Sequence, residues 1–211
     1  MDRIQPSSIA RPLAPPARSA AAVATTEPSA ALATAALATA ALRILFGVAW
    51  AANAALKWFP AFGAGFLGML TDVTQGQPAF LKPWFNLVTA VASDGRATIL
   101  AAGAAGLETY LAVALLTGFA RKTTYLIGAL YTAVLWATAE GFGGPYVPGT
   151  STDVGAAIIY TLLFALLLVH DAGVGTSRLS VDAIIERRVP AWRRVAELGS
   201  RRGELDRGAV R

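Results

Sequence analysis

The stretch TILAAGAAGLETYLAVALLTGF, Thr98–Phe119, carries a single charge, Glu108, in an otherwise uncharged run. As a helix it rises about 33 Å at 1.5 Å per residue, and the hydrocarbon core of a bilayer is about 30 Å thick. The run is long enough to cross a membrane, with Glu108 near mid-depth. An ionisable group there costs about 2.5–3.5 kcal/mol on the insertion scale, so the carboxylate needs a partner or a use. On a helical wheel Glu108 shares a face with Ala101, Ala104, Ala105 and Ala112. Small side chains let a neighbouring helix come close, which predicts that this face points into a bundle.

The composition around this stretch agrees. Of 211 residues, 55% are hydrophobic and 15% charged, against about 25% charged in a soluble domain. The chain reads as one integral membrane domain with tails. It has no cysteine and a single histidine, His170. A persulfide mechanism has no thiol to work with, and a bis-histidine haem, a copper site or an iron–sulfur cluster lacks ligands from this chain alone. No metal or haem is expected of it, and redox work would need an organic cofactor or a partner subunit.

Three further apolar segments flank the first. Ala35–Phe59 is the expected first span and ends in Lys57-Trp58, a cation and an indole at the interface. Thr98–Phe119 is the second, Thr124–Ala139 the third and Asp153–His170 the fourth. Between the first two, Phe62, Phe66, Leu70 and Val73 recur at helical spacing, as do Trp84, Leu87, Val88 and Val91. Gln75-Gly-Gln-Pro78 and Lys82-Pro83 interrupt them, which predicts two short amphipathic helices on the membrane surface or capping the bundle. The expected fold is all-α: a four-helix membrane bundle over residues 31–170. A disordered N-terminal tail, 1–30, and a basic, partly amphipathic C-terminal tail, 171–211, flank it. The apolar region begins too late and runs too long for a cleaved secretory leader.

Charge placement orients the bundle. Nine arginines fall from Arg178 onward, three lie before residue 20, and Arg121-Lys122 forms the turn between the second and third spans. The two opposite loops hold only Lys57, Lys82 and Arg96. The positive-inside rule places both termini in the cytoplasm. Basic tails beside apolar spans are a topogenic pattern, not a nucleic-acid footprint. Arg187, Arg188, Arg193 and Arg194, beside an amphipathic stretch, are expected to meet anionic lipid headgroups at about 1 kcal/mol each, with partner docking as the alternative. No phosphate-binding loop, zinc spacing or nucleophile elbow occurs in the chain.

Several polar residues admit both a structural and a chemical reading. Glu108 either fixes helix register through a hydrogen bond, or carries a proton and bonds a polar head such as a quinone carbonyl. Arg43, inside the first span, either pairs with Glu108 or snorkels to the cytoplasmic headgroups. Side chains tilt toward the helix N-terminus, which aims Arg43 inward and Glu108 outward. Lys57 and Trp58 form an interfacial anchor or the rim of an outward-opening site. Asp153, after Thr150-Ser-Thr, caps the fourth helix or joins an outer polar site. Tyr110 and Trp136 pack in the interior or stack on a quinone ring. His170 reads as interfacial.

These residues carry a family resemblance. LRILFGVAWAANAALKW (Leu42–Trp58) resembles the opening span of the DoxX-like membrane proteins, and GLETYLAVALLTGFARK (Gly106–Lys122) is similar to their second span. PGTSTDVGAAIIYTLLFALLLV (Pro148–Val169) with SRLSVD (Ser177–Asp182) resembles the last span of the DoxD branch. The GTSTD stretch is longer than that pattern, and the basic tail is extended. The resemblance covers most of residues 40–182. It implies a four-helix bacterial inner-membrane protein, the membrane subunit of a quinone-linked oxidoreductase of the thiosulfate:quinone type. It also implies a quinone as cofactor, a redox partner subunit, and Arg43, Lys57, Glu108 and Asp153 as the recurring polar positions. Two other classes stay open: a non-enzymatic scaffold that anchors a partner, and a small carrier or channel, for which four spans require an oligomer.

Overall fold

The computed structural model describes residues 27–146, 153–174 and 179–198. The expected N-terminal disorder up to residue 26, Thr150–Thr152, and the tail from 199 onward lie outside them. Contacts divide the chain into residues 1–34 and 35–211. Within the first unit, the start of the opening helix is described, with Thr34 Oγ1 donating to Ala30 O.

Every described element is helical. α1 spans Glu27–Lys57, α2 Pro60–Asp72, α3 Lys82–Ala92, α4 Arg96–Thr117 and α5 Arg121–Ala137. α6 spans Ala156–Val174, α7 Val181–Arg188 and α8 Arg193–Ala196, with short 3-10 turns at Ala79–Leu81, Gly141–Gly143 and Pro190–Trp192. Three stretches, Ala30–Lys57, Arg96–Thr117 and Ala156–Gly173, are long and apolar enough to cross a membrane, which marks a membrane protein. α5, the expected third span, has 17 residues and rises about 25 Å, somewhat less than the hydrocarbon core. α2 and α3 fill the expected position of two short helices between α1 and α4.

The core explains the order of packing. Phe46 and Trp50 of α1, Leu111 and Leu115 of α4, Tyr125 of α5 and Phe164 and Leu167 of α6 form one buried cluster. Close approach depends on missing side chains. A Cβ on Gly47 would sit 2.9 Å from the backbone nitrogen of Leu116, so α1 and α4 meet there nearly backbone to backbone. A Cβ on Gly128 would enter the ring of Phe164, which seats α5 on α6; the Thr132 and Thr161 hydroxyls meet beside it at 2.8 Å. Gly128→Ala is therefore expected to cost about 1–3 kcal/mol by overpacking, read as a lowered unfolding midpoint in detergent. Large apolar side chains such as Leu45 (68% exposed) and Leu130 (69%) cover the opposite faces, as lipid contact requires.

At one end of the helical core the C-terminal segment is fastened down. Asp182, fully buried, accepts from the backbone nitrogens of Ala120 (2.7 Å) and Arg121 (3.0 Å), from Arg121 Nε (3.1 Å) and from Trp192 Nε1 (2.8 Å). Arg121 also binds both oxygens of Asp171, at 2.8 and 2.7 Å. The expected amphipathic face of the tail splits: Val181 and Ile185 are partly buried, whereas Ile184 and Val189 are exposed. The pattern misleads because Asp182, a charge, supplies the anchoring.

Candidate functional site

The polar centre lies at the other end, where the last turn of α1 meets the middle of α4. Lys57 Nζ stands 3.2 Å from Glu108 Oε1, and Tyr131 of α5 donates its hydroxyl to the same oxygen at 2.8 Å. Glu108 is 1% exposed, while the Lys57 side chain keeps 24% exposure. Glu108 Oε2 is buried without a hydrogen-bond partner among the described residues. An unsatisfied buried carboxylate oxygen is costly and calls for an explanation. Lys57 Nζ also lies 5.1 Å from the centroid of the Phe62 ring, a cation–π distance that ties α1 to α2.

α4 delivers Glu108 as its sequence foretells. Ala101, Ala105 and Ala112 are buried with it, while Ala104 borders the neighbouring cavity. That cavity has a volume of about 820 Å³ and opens between α2, α3, α4 and α5, with Lys57 of α1 at its edge. Its wall is mostly apolar, with Phe66, Leu87, Leu100 and Val134 among its side chains, and Lys57, Tyr131 and Glu140 bring polar groups into it. Glu108 stands one layer behind, holding both of those groups through a single oxygen. A second, smaller cleft of about 300 Å³ adjoins Lys57 on the side of Trp58 and Thr98.

The proposed Arg43–Glu108 pair does not form. Arg43 is 2% exposed; its Nη1 donates to the Leu115 carbonyl and its Nη2 to Leu179 O at 2.8 Å. It is thus a buried clasp between α4 and the C-terminal segment, and it does not snorkel to headgroups either. The physical reason is the tilt of side chains toward the helix N-terminus on two antiparallel helices, which carries Arg43 and Glu108 apart. Gly118 (φ +68°) makes room for this clasp: a Cβ there would lie 2.7 Å from Ser180 Cβ and 2.9 Å from Arg43 Nη1.

The other expected site residues separate. Trp58 is 61% exposed and donates Nε1 to Thr109 Oγ1 at 3.0 Å, on the small cleft and away from the large cavity. Tyr110 packs against the core and pairs its hydroxyl with Thr124 at 3.1 Å, so it is not placed to stack on a ligand in the cavity. Asp153 is exposed and accepts from Gly155 N at 2.8 Å, an Asx turn before α6 and apart from the cavity. Glu140, not foreseen, caps the α6 N-terminus instead, accepting from Ala157 N at 2.9 Å. Trp136 donates to Val154 O at 2.8 Å and steadies the same corner.

Tyr131 is the site residue that sequence reasoning passed over. A hydroxyl at mid-span is a signal of the same kind as Glu108, though weaker. Nothing in the spacing links position 131 to position 108 before the helices pack. Searches of protein-family models, of curated proteins and of solved structures find no match to this chain.

Proposed function

We propose that this chain is the membrane subunit of a quinone-linked oxidoreductase, of the thiosulfate:quinone type implied by its resemblance to the DoxX-like proteins. The observation that carries the reading is the apolar cavity of about 820 Å³ with Lys57 and Tyr131 in its wall and Glu108 behind them. Its volume falls in the range of small-molecule sites, about 300–1,000 Å³, and it has the few convergent polar groups that orient a ligand. Lys57 and Glu108 compensate each other in charge, and the Glu140 carboxylate in the wall accepts from the backbone at the start of α6, so the cavity favours a neutral head on an apolar body. An ammonium has three N–H donors, and those not used by Glu108 can donate to a carbonyl oxygen. These are the properties of a quinone with its prenyl chain.

In this reading a quinone in the cavity accepts electrons delivered by a partner subunit and protons delivered by the protein. Lys57 orients the head. Glu108 holds the proton that accompanies reduction, and Tyr131 fixes the carboxyl rotamer. All four long helices, α1, α4, α5 and α6, span a bacterial inner membrane, with α2 and α3 capping the outer side. The excess of arginine and lysine in the tails and at Arg121-Lys122 supports cytoplasmic termini.

Solvent extraction of the purified protein is expected to release quinone in near-stoichiometric amount, whereas an extract holding only phospholipid would assign the cavity to lipid. Glu108→Gln keeps an acceptor for Tyr131 but carries no exchangeable acid. It is expected to lower thiosulfate-dependent quinone reduction by about 10²-fold or more while quinone content is retained. Unchanged turnover would remove Glu108 from the mechanism.

A second reading, a scaffold that anchors a partner, draws on the exposed Arg187, Arg188 and Arg194 of the docked C-terminal segment. The same arginines suit anionic lipid headgroups. A pull-down that recovers one stoichiometric soluble partner, with no quinone in the extract, would favour the scaffold.

A further inference from the structure

Lys57 and Phe62 line both hollows, the apolar cavity and the small cleft. The cleft is bounded by Trp58, Thr98, Ala101 and Ala105, at the end of the bundle where α1 passes into α2 and α4 begins. The Lys57 ammonium is thus partly exposed on one side and in contact with a buried carboxylate on the other. Facing Glu108 are Lys57 from α1 and Tyr131 from α5, and these are its only bonded partners among the described residues. Its second oxygen is buried and unpartnered.

The opposite direction is closed. Below Glu108 the helices are joined by Trp50, Leu111, Ala112, Leu115 and Phe164, all buried. Of the hydroxyls in that region Tyr110 pairs with Thr124 and Thr132 with Thr161, while that of Tyr125 is buried without a partner among the described residues; none of them bonds Glu108. Gly118 lies ten residues along α4 from Glu108, about 15 Å away, and there Arg43, Arg121 and Asp182 lock the C-terminal segment over the bundle end.

We propose that the small cleft is a one-sided proton path, through which Glu108 exchanges its proton with the aqueous face that bears α2 and α3 and not with the face that bears α7 and α8. The exchange is relayed by Lys57, which lines the cleft: its ammonium gives a proton to water there and takes one from the Glu108 acid, leaving the carboxylate paired with the ammonium, and the reverse steps return the proton. The apolar cavity is kept for the ligand, so proton and ligand reach the polar centre from different sides of Lys57. This holds whatever ligand the cavity takes.

A water-soluble carbodiimide tests it on the full chain in proteoliposomes. The reagent adds to a protonated carboxyl to give an O-acylisourea. That product either rearranges to an N-acylurea, retaining the whole reagent mass, or is displaced by the Lys57 amine, giving an amide with release of the urea and a net loss of one water. Mass spectrometry of the Glu108 peptide reads both products. The chain has no cysteine, so Gln75→Cys and Arg188→Cys, each exposed, report vesicle orientation with an impermeant maleimide. Modification of Glu108 is expected only when the reagent meets the Gln75 face. Equal modification from both faces, modification from the Arg188 face alone, or none from either face would overturn the proposal.

Two glycines separate the cleft from the cavity as the route. Gly63 lines the cleft and Gly103 the cavity, and a Cβ at either meets nothing within 4 Å. Gly63→Phe is expected to slow the modification strongly, and Gly103→Phe to leave it unchanged while displacing bound quinone. The reverse pattern would overturn the path. Loss of the quinone effect alone would count against the quinone reading and leave the proton path standing.

Discussion

Asp182→Ala is expected to cost about 3–5 kcal/mol, the range for breaking a buried ion pair by removing one partner. The carboxylate gathers four donors: two backbone N–H groups at the start of α5, Arg121 Nε and Trp192 Nε1. Without it the first backbone donors of α5 lose an anion at the positive end of the helix dipole. Arg121, 2% exposed, keeps Asp171 and, at 4.0 Å, Glu197, but loses the most deeply buried of its three acidic partners among the described residues. Hydrogen exchange should show the segment 179–198 released, with faster exchange in the first turn of α5. Asp182→Asn should recover part of the loss, because the amide oxygen still accepts while its NH2 opposes the donors. Equal stability of Asp182→Ala and wild type would mean that the network adds nothing to the fold.

The second large effect concerns Lys57→Met. The substitution keeps the length of the side chain and removes the cation, leaving Glu108 buried with Tyr131 as its one partner. About 3 kcal/mol of stability is expected to be lost, the lower end for a broken buried pair because the ammonium keeps partial solvent contact. Adding Glu108→Gln removes the stranded charge and preserves an acceptor for the Tyr131 hydroxyl. The double variant is therefore expected to be more stable than Lys57→Met alone, a coupling visible in a double-mutant cycle. Bound quinone should be lost in both, since neither retains the donor that orients the head. Additive stabilities would show that the 3.2 Å approach is not an energetic pair, and retained quinone would take Lys57 out of the binding site.

Much of this arrangement was legible one helix at a time. The period of alanines beside Glu108 identified the buried face of α4, and Lys57 was already marked as a residue either anchoring the chain or rimming a site. The two short helices before α4 announced themselves by the apolar spacing of Phe62, Phe66 and Leu70 and of Trp84, Leu87 and Val91, and by the breaks at Pro78 and Pro83 between them. Each of these signals is local, read within a few turns of one segment. Arg43 shows the limit of such reading. By composition it was a candidate partner for Glu108, although the tilt of the two side chains already ran against the pair. Choosing between Arg43 and Lys57 requires the relative sliding of α1 and α4, and that is set where Gly47 lets Leu116 approach. Asp153 and Tyr110 stand apart from the cavity for a different reason. Each is a polar group with a local or adjacent partner, Gly155 N and the Thr124 hydroxyl, that satisfies it away from the cavity.

By itself the amino-acid sequence determined that the chain is helical, that it carries apolar segments of membrane-crossing length, and that one acid must face inward among small residues. These follow from hydropathy and helical periodicity, which depend on neighbours in the chain. The tertiary structure alone decided that Lys57 and Tyr131 share one oxygen of Glu108, that Arg43 serves the far end, and that a cavity opens between α2, α3, α4 and α5. These depend on the offset and rotation of whole helices. Those are set by where side chains are missing at contacts such as Gly47–Leu116 and Gly128–Phe164, quantities that no single segment contains.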